Sequence, residues 1–216
     1  MRAIIFAGGP GIDPGRVTSI ASSCDLVLAA DSGANVAAAC GIVPDRIVGD
    51  LDSIAPETRA FMESKNVPFE VYPSEKDMTD TEICVKDLPE DAEITVVCSF
   101  YGRPDHALSL MMLAIREHAN GRDITLTDGV NDFIPMCGPD EISIEGVQDP
   151  ESLIISLIPF TEVKGVTSEG LYYKLEDSDL TPGSSYSISN KVGKDSDSFR
   201  VLIKHGKMGV MIVPEN

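Results

Sequence analysis

The sequence is poor in basic residues, with 17 lysines and arginines against 35 aspartates and glutamates and a formal net charge of −18. Nucleic-acid-binding proteins usually carry a basic patch that neutralises phosphates, so this balance argues against a nucleic-acid partner. Neither a Gly-Lys-Ser/Thr phosphate loop nor a complete GxGxxG fingerprint is present. The acidic balance suits a cleft that concentrates a divalent metal or a cationic substrate, or it serves solubility alone.

No cysteine pair has the spacing of a metal site or a redox motif. The five cysteines are scattered without a CxxC, and the three histidines are distant in sequence, so a zinc site is not indicated. No segment approaches the ~20 apolar residues that a membrane span requires. The apolar run at residues 1–7 is too short for a signal peptide. We therefore expect reduced thiols, a cytoplasmic location and no membrane partner.

The first part of the chain alternates short apolar runs with helical patterns. The predicted strands are Ala3–Ala7, Leu26–Ala30, Arg46–Gly49, Phe69–Tyr72, Ile94–Cys98 and Ile124–Thr127. Asp13-Pro14 indicates one helix start, and the capping box from Thr79 to Glu82 indicates another. A further helix is marked by Leu108, Met111, Met112 and Ile115. This alternation predicts an α/β domain with a doubly wound, mostly parallel sheet over residues 1–132.

From Phe133 onward the pattern becomes that of short strands separated by Gly, Pro, Ser and Asp. The predicted strands are Glu141–Glu145, Leu153–Pro159, Tyr172–Leu175, Tyr186–Ile188, Phe199–Lys204 and Gly209–Val213. The segment His205-Gly206-Lys207 has the character of a terminal hairpin loop. Because no helical pattern is present, residues 133–216 are predicted to form a small antiparallel β domain, a sandwich or a barrel, of which we favour the sandwich.

Aspartates collect after the predicted strands of the first domain. They are Asp31, Asp50, Asp52, Asp77, Asp80 and Asp105. In an open α/β sheet, ligands bind beyond the carboxyl ends of the strands. Asp50 and Asp52 are two residues apart in an extended segment, so their carboxylates point the same way and repel unless a cation separates them. Such oxygen ligands suit Mg²⁺ and phosphoryl transfer, although each aspartate alone is also typical of a cap or turn.

Seven short stretches carry a family resemblance. They are Ala30–Asn35, Pro44–Ser53, Lys76–Asp80, Gly102–His106, Ser156–Pro159, Gly165–Leu171 and Ser187–Asn190. In order and spacing, from end to end, the chain resembles the thiamine pyrophosphokinase family. The resemblance implies transfer of the pyrophosphoryl group of ATP to the hydroxyl of thiamine, which yields thiamine diphosphate and AMP. It also implies a homodimer whose α/β domain binds ATP and whose β domain helps bind thiamine at the subunit interface.

The resemblance assigns a role to individual residues of this chain. The implied ligands of Mg²⁺ are Asp50, Asp52 and Asp80. The implied ATP-binding residues are Asp31, Gly33, Asn35, Ser53 and Asp77. The implied catalytic residues are Lys76, Arg103 and Asp105. The implied thiamine-binding residues are Asp105, Tyr173, Ser189 and Asn190.

Three positions depart from the family pattern. Ser32 stands where a second glycine is usual, and residues 99–102 replace a more glycine-rich approach to Arg103. Tyr173 stands where some members carry a tryptophan that stacks on the substrate. Because Tyr173 keeps an aromatic face, we expect it to stack on a cationic thiazolium or a pyrimidine.

The residues alone leave other functions open. A pyrophosphokinase for another alcohol, such as a pterin hydroxymethyl group, would use the same α/β half, and residues 187–190 favour thiamine over it. A non-catalytic thiamine- or nucleotide-binding regulator would share the fold, and the intact aspartates argue against it. A dinucleotide-binding protein is disfavoured because its glycine fingerprint is missing.

Overall fold

The computed structural model describes residues 1–147, 149 and 152–215. Two compact units are present: Met1–Leu113 with Gly121–Val130, and Ala114–Asn120 with Asn131–Asn216. Both units share the helix from Pro104 to Ala119, so the predicted division after residue 132 stays a prediction. In the described part of the chain, no helix combines the length and the apolar character that a membrane span needs.

The first unit contributes six strands that pair side by side. Its strands are β1 (Arg2–Gly8), β2 (Leu26–Ala30), β3 (Arg46–Gly49), β4 (Phe69–Val71), β5 (Glu93–Cys98) and β6 (Asp123–Thr127). Their order is β6-β5-β1-β2-β3-β4, and each neighbouring pair is parallel. The chain moves outward from β1 to β4 and then returns to the other side of β1. This reversal confirms the doubly wound sheet and places its crevice between the carboxyl ends of β1 and β5.

Five helices connect these strands. They are α1 (Pro14–Ala21), α2 (Gly33–Ala39), α3 (Pro56–Ser64), α4 (Asp80–Lys86) and α5 (Pro104–Ala119). The predicted starts of α1 and α4 are confirmed: the Asp13 carboxylate accepts the Gly15 N–H at 2.8 Å, and the Thr79 hydroxyl accepts the Glu82 N–H at 3.2 Å. The sequence patterns did not single out α2 and α3. Neither has a side-chain N-cap, so the strongest start signal is missing.

The apolar residues that mark α5 do not all face the interior of the protein. Ile115 is buried, but Leu108 and Met112 are exposed, and Ala107 and Ala114 are buried instead. The periodicity therefore predicts the helix correctly without giving its buried face.

Helix α2 packs directly against the backbone of β1. A Cβ at Gly33 would lie 1.8 Å from the Phe6 carbonyl oxygen, so only glycine fits at this contact. Ala34 and Ala37 continue the contact in one apolar cluster with Ile4 and Phe6. The small residues of α2 therefore hold its first turn close to the edge of the sheet where β1 ends.

The second unit contains two antiparallel sheets. Their strands are β7 (Asp132–Cys137), β8 (Asp140–Ile144), β9 (Leu153–Pro159), β10 (Val163–Glu169), β11 (Ser178–Leu180), β12 (Asn190–Lys191), β13 (Phe199–Ile203) and β14 (Lys207–Pro214). Four of these strands pair in the order β12-β9-β14-β7, and the other four form a separate sheet with the order β11-β10-β13-β8. Leu157 and Val210 from the first sheet share a core with Val166 and Val201 from the second. The predicted β-sandwich is confirmed.

Several local predictions in this unit are wrong. Residues 172–175 and 186–188 form turns and irregular segments instead of strands, and β10 occurs where no strand was predicted. The expected terminal hairpin is also absent. Strand β13 pairs with β8 and β10, whereas β14 pairs with β7 and β9, so residues 204–206 connect two sheets. Alternation along a strand does not specify its partner, which depends on the whole sandwich.

Replacing Gly33 with alanine tests the close contact of α2 with β1. We expect Gly33→Ala to lower the free energy of unfolding by about 1 to 3 kcal/mol, because the added methyl group forces the helix and strand apart. Urea denaturation followed by circular dichroism measures this change. The control is Gly15→Ala in α1, where a new Cβ would meet one Asp13 carboxylate oxygen at 3.2 Å and no backbone of a neighbouring strand. Equal stability of the two variants would contradict the packing argument.

Candidate active site

Three carboxylates meet where β2 and β3 end. Each of Asp31, Asp50 and Asp52 offers an oxygen within 4.8 Å of the others. Asp31 and Leu51 have φ angles of 44° and 66°, in the left-handed region that residues with a side chain rarely adopt. Such backbone strain is concentrated at functional sites in proteins. The two turns therefore direct the acidic side chains of neighbouring parallel strands towards one point.

Asp80 approaches this cluster from the first turn of α4. A Cβ at Gly49 would lie 3.0 Å from Asp31 Cβ and 3.1 Å from Asp80 Cγ, so the missing side chain leaves room for both aspartates. Lys76 Nζ lies 3.2 Å from Asp80 Oδ1. The structure thus brings the predicted metal ligands and Lys76 into one region. It adds Asp31, which the family resemblance assigns to ATP, to the carboxylate cluster.

The buried carboxylate oxygens of the cluster have few hydrogen-bond donors. Asp31 Oδ1 is buried and accepts no hydrogen bond, and Asp80 Oδ1 is buried with the Lys76 ammonium 3.2 Å away as its ionic partner. Burial raises the pKa of Asp80, and the charges of Asp31 and Asp50 raise it further. Lys76 has the opposite effect and lowers it, but burial is the larger cause. A hydrogen bond from Ser74 is the main cause that lowers the pKa of Asp50. Unsatisfied carboxylate oxygens that repel one another fit a hard divalent cation, which would satisfy them and offset the repulsion.

Asn35 connects α2 to the loop that carries Asp52. Its Nδ2 donates to the Ser53 carbonyl at 3.0 Å, and its Oδ1 accepts the Ala55 N–H at 3.0 Å. The Ser53 hydroxyl in turn donates to Asp52 Oδ1 at 2.8 Å. Both ends of the Asn35 amide are therefore engaged by the loop after β3. This geometry makes Asn35 a positioning residue for the carboxylates.

Two other residues that the resemblance assigns to ATP lie outside the carboxylate cluster and differ from each other in burial. Gly33 is buried against the Phe6 carbonyl, where it sets the position of α2. Asp77 is exposed on the segment between β4 and α4. Their contact with a nucleotide stays a prediction.

The loops that follow β1 and β5 contact each other. The Ser99 hydroxyl donates to the Pro10 carbonyl and accepts the Tyr101 N–H at 2.9 Å. The ring of Tyr101 lies next to Gly11, where a Cβ would be 3.1 Å from its Cδ2. The departure from the family pattern at residues 99–102 therefore fixes one loop to the other and leaves an exposed tyrosine at the crevice.

Arg103 and Asp105 form an exposed bidentate pair at the start of α5. Arg103 Nε donates to Asp105 Oδ1 at 2.9 Å, and the second guanidinium nitrogen donates to Oδ2 at 2.6 Å. The guanidinium holds the pKa of Asp105 well below its usual range. Asp105 is consequently ionised at neutral pH but is a weak base. The arrangement favours an orienting role for this carboxylate over proton abstraction.

The predicted thiamine-binding residues of the second unit are close together. The Asn190 carboxamide is buried and bonds to both backbone groups of Tyr173, accepting its N–H at 2.9 Å and donating to its carbonyl at 2.7 Å. Ser189 has a φ of 60°, and its N–H donates to the Ser156 hydroxyl at 3.0 Å. Asn190 therefore positions Tyr173, while the ring of Tyr173 is exposed.

The fold and the carboxylate cluster together define a class of protein. A doubly wound α/β unit is followed by a β-sandwich, and the acidic edge of the first sheet suits a divalent cation with the phosphates that it binds. Residues 17–126 match the profile described as Thiamin pyrophosphokinase, catalytic domain. Residues 141–207 match Thiamin pyrophosphokinase, vitamin B1 binding domain. The chain belongs to the thiamine pyrophosphokinase family.

Individual relatives agree with this assignment. The chain is 32% identical over 191 residues to the thiamine pyrophosphokinase of Bacillus subtilis (strain 168), covering 87% of this chain and 88% of that protein. The chain is also similar in structure to the crystal structure of thiamine pyrophosphokinase from Bacillus subtilis. The two match over 100% of each chain, with a TM-score of 0.83 and 26% identity. Thiamin pyrophosphokinase from Candida albicans has a TM-score of 0.81 over 99% of this chain and 89% of its own, and its 18% identity shows the fold alone.

Replacing Asn35 tests its role in holding the loop after β3. We expect Asn35→Ala to lower the free energy of unfolding by about 1 to 3 kcal/mol, because the Ser53 carbonyl and the Ala55 N–H lose their partner. The variant should also need more divalent cation for half-maximal binding, since Asp52 is less well placed. Urea denaturation and calorimetric titration with Mg²⁺ measure the two effects. Asn120→Ala, at the exposed end of α5, is the control. Unchanged Mg²⁺ affinity in the Asn35 variant would refute the positioning role.

Removing Arg103 tests what controls the charge of Asp105. In Arg103→Met the pKa of Asp105 should rise towards its ordinary value of 3.8, because its main hydrogen-bond partner is lost. A lowered pKa keeps the carboxylate ionised as pH falls, so Asp105 should add no acidic limb to a pH–rate profile above about pH 5. Carbon-13 NMR titration of the aspartate carboxyl groups measures the pKa directly. An unshifted resonance midpoint would show that another group controls Asp105.

Proposed function

We propose that this protein is an ATP-dependent thiamine pyrophosphokinase. The hydroxyl oxygen of thiamine attacks the β-phosphorus of ATP, and the bond from that phosphorus to the oxygen bridging it to the α-phosphorus breaks. AMP leaves with the bridging oxygen, the hydroxyl proton passes to solvent, and thiamine diphosphate is formed. The observation that carries the proposal is the carboxylate cluster of Asp31, Asp50 and Asp52, with the buried Asp31 Oδ1 left without a hydrogen bond, in a chain of this family.

The cation is proposed to be Mg²⁺. Asp50 and Asp52 would hold it together with Asp80, and the position of Asp31 supports a fourth carboxylate in the same site. When bound, the ion neutralises charge on the phosphate chain of ATP. The aspartates would fix the position of the cation and so orient the phosphates. Such positioning and charge stabilisation are the main contribution that a protein makes to phosphoryl transfer.

Two cationic side chains support the transfer. Lys76 is largely buried and already lies beside Asp80, so it is placed to donate to a phosphate oxygen near the cation. Arg103 presents an exposed guanidinium that Asp105 holds in one orientation. Asp105 orients the acceptor hydroxyl, and its low pKa makes it a hydrogen-bond acceptor throughout the reaction.

ATP and thiamine are assigned to different groups of residues. Asp31, Gly33, Asn35, Ser53 and Asp77 are the proposed nucleotide side. Of these, Asn35 and Ser53 act through the loop that carries Asp52. On the thiamine side, the Tyr173 ring stacks on the acceptor, and Ser189 and Asn190 fix the backbone around it.

The assembly and the location are further parts of the proposal. The family resemblance supports a homodimer with its active site near the subunit interface, and sedimentation equilibrium tests it. All five cysteines are free thiols, which supports a reducing cytoplasm.

The deciding experiment is AMP release from ATP, with and without thiamine, in Mg²⁺ and again in EDTA. Wild-type protein should release AMP only with both thiamine and Mg²⁺. Asp52→Asn should lose at least about 100-fold in kcat/KM, because a carboxylate that neutralises transferred charge is removed. Asp91→Asn, an exposed aspartate before β5, should retain activity within about twofold of wild type as the matched control.

Other outcomes identify the alternative functions. Full activity of Asp52→Asn would refute the metal assignment. ADP in place of AMP would indicate a simple kinase. AMP release with a pterin alcohol and not with thiamine would indicate a different pyrophosphokinase. Ligand binding without release of AMP would indicate a regulator.

A further inference from the structure

Lys76 is held inside the acidic edge of the first unit instead of on the surface. Its Nζ lies 3.2 Å from Asp80 Oδ1 and donates to the Pro73 carbonyl at 2.9 Å. The side chains of Lys76 and Asp80 are only 16% and 20% exposed. The ammonium is also close enough to Asp50 to lower the pKa of that residue, although the hydrogen bond from Ser74 is the larger cause. Lys76 is therefore the counter-ion of this part of the cluster.

One ammonium group does not neutralise the whole cluster. The four aspartates of the cluster are Asp31, Asp50, Asp52 and Asp80. Among the residues that the structure describes, no lysine or arginine other than Lys76 forms an ion pair with any of them. The cluster therefore keeps an excess of negative charge while Lys76 is in place, and it still attracts a divalent cation.

A cation bound by the aspartates would lie close to this ammonium. Asp31 Cβ and Asp80 Cγ lie 3.0 and 3.1 Å from one point, the position that a Cβ on Gly49 would take. A divalent cation that binds both carboxylates is therefore near the charge on Asp80 Oδ1, and two positive charges at such short range repel each other. Because Asp80 Oδ1 is itself buried, it has little room for two cations at once.

The ammonium is held in a way that allows exchange. Its two partners are a carboxylate oxygen and a backbone carbonyl, and a phosphate oxygen can replace either as hydrogen-bond acceptor. The lysine side chain is a point charge on a flexible aliphatic stem, and Lys76 lies in the irregular segment before α4. The charge can therefore move to a phosphate without a change in the sheet or in α4.

We propose that Lys76 is an exchangeable counter-ion that couples cation binding to nucleotide binding. A divalent cation displaces the ammonium from Asp80, and the released ammonium donates to a phosphate oxygen of the nucleotide that the cation carries. Lys76 then opposes binding of the cation alone and favours binding of the cation together with its nucleotide. The second step rests on the proposed function, which supplies the nucleotide, whereas the first step does not.

The first test is calorimetric titration with Mg²⁺ without nucleotide. Lys76→Met should bind Mg²⁺ about five- to tenfold more tightly than wild type, because the competing positive charge is removed. Lys76→Gln should show the same gain, and its amide keeps a donor for the Pro73 carbonyl, so the gain does not depend on losing that hydrogen bond. Lys86→Met is the matched control, because its exposed ammonium forms an i,i+4 pair with Glu82 at 3.1 Å. Its Mg²⁺ affinity should stay within about twofold of wild type.

The second test adds a nucleotide that does not react. An ATP analogue with a methylene group in place of the oxygen between the α- and β-phosphorus binds without transfer. In saturating Mg²⁺, wild type should bind this analogue at least about fivefold more tightly than Lys76→Gln, because the ammonium donates to a phosphate. Opposite effects of one substitution in the two titrations identify an exchanged counter-ion, since a purely structural lysine would weaken both.

Two results would overturn the proposal. Equal or weaker Mg²⁺ affinity in both neutral Lys76 variants would show that the ammonium does not compete with the cation. Equal affinity of wild type and Lys76→Gln for the analogue would show that the ammonium does not move to a phosphate. Failure of AMP release with thiamine would refute the proposed function alone, since neither titration needs an acceptor or turnover.

Discussion

Four carboxylates converge at one edge of the first sheet because β2, β3 and β4 run parallel and end together. Asp31 and Asp50 follow neighbouring strands, and Asp80 begins the helix after the third. Burial of carboxylates beside one another costs free energy: burial is the main cause that raises the pKa of Asp80, and the charges of Asp31 and Asp50 add to it. Lys76 offsets part of this cost, and a divalent cation is the group that would offset the rest. The chemistry proposed for the protein depends on this accumulation of negative charge.

The residues around the cluster act mainly through the backbone. Gly49 leaves room for two aspartates, and Gly33 lets α2 approach β1. Asn35 then joins that helix to the loop that carries Asp52. These residues fall within the stretches that resemble the family, which would by itself suggest contacts with ATP. The geometry shows that they also position the carboxylates, since a site for phosphate chemistry must hold its charges within narrow limits, and their contact with ATP stays a prediction.

In the second unit, too, a buried polar side chain positions an exposed one through the backbone. Asn190 is buried and makes hydrogen bonds to both backbone groups of Tyr173, while the ring of Tyr173 is exposed. The aromatic face is therefore fixed through its backbone and exposed to a ligand.

The sequence by itself determined the α/β unit, the β-sandwich, the caps of α1 and α4 and the aspartates that end up together. These features follow from local periodicity, from capping residues and from motifs that keep their order along the chain. Only the tertiary structure decided that Asp31 joins the carboxylates, that Asn35 holds a loop and that Leu108 is exposed. It also decided that β13 and β14 belong to different sheets. The physical reason is that a residue's own pattern fixes its local conformation, whereas its partners are chosen by packing between segments that are distant in sequence.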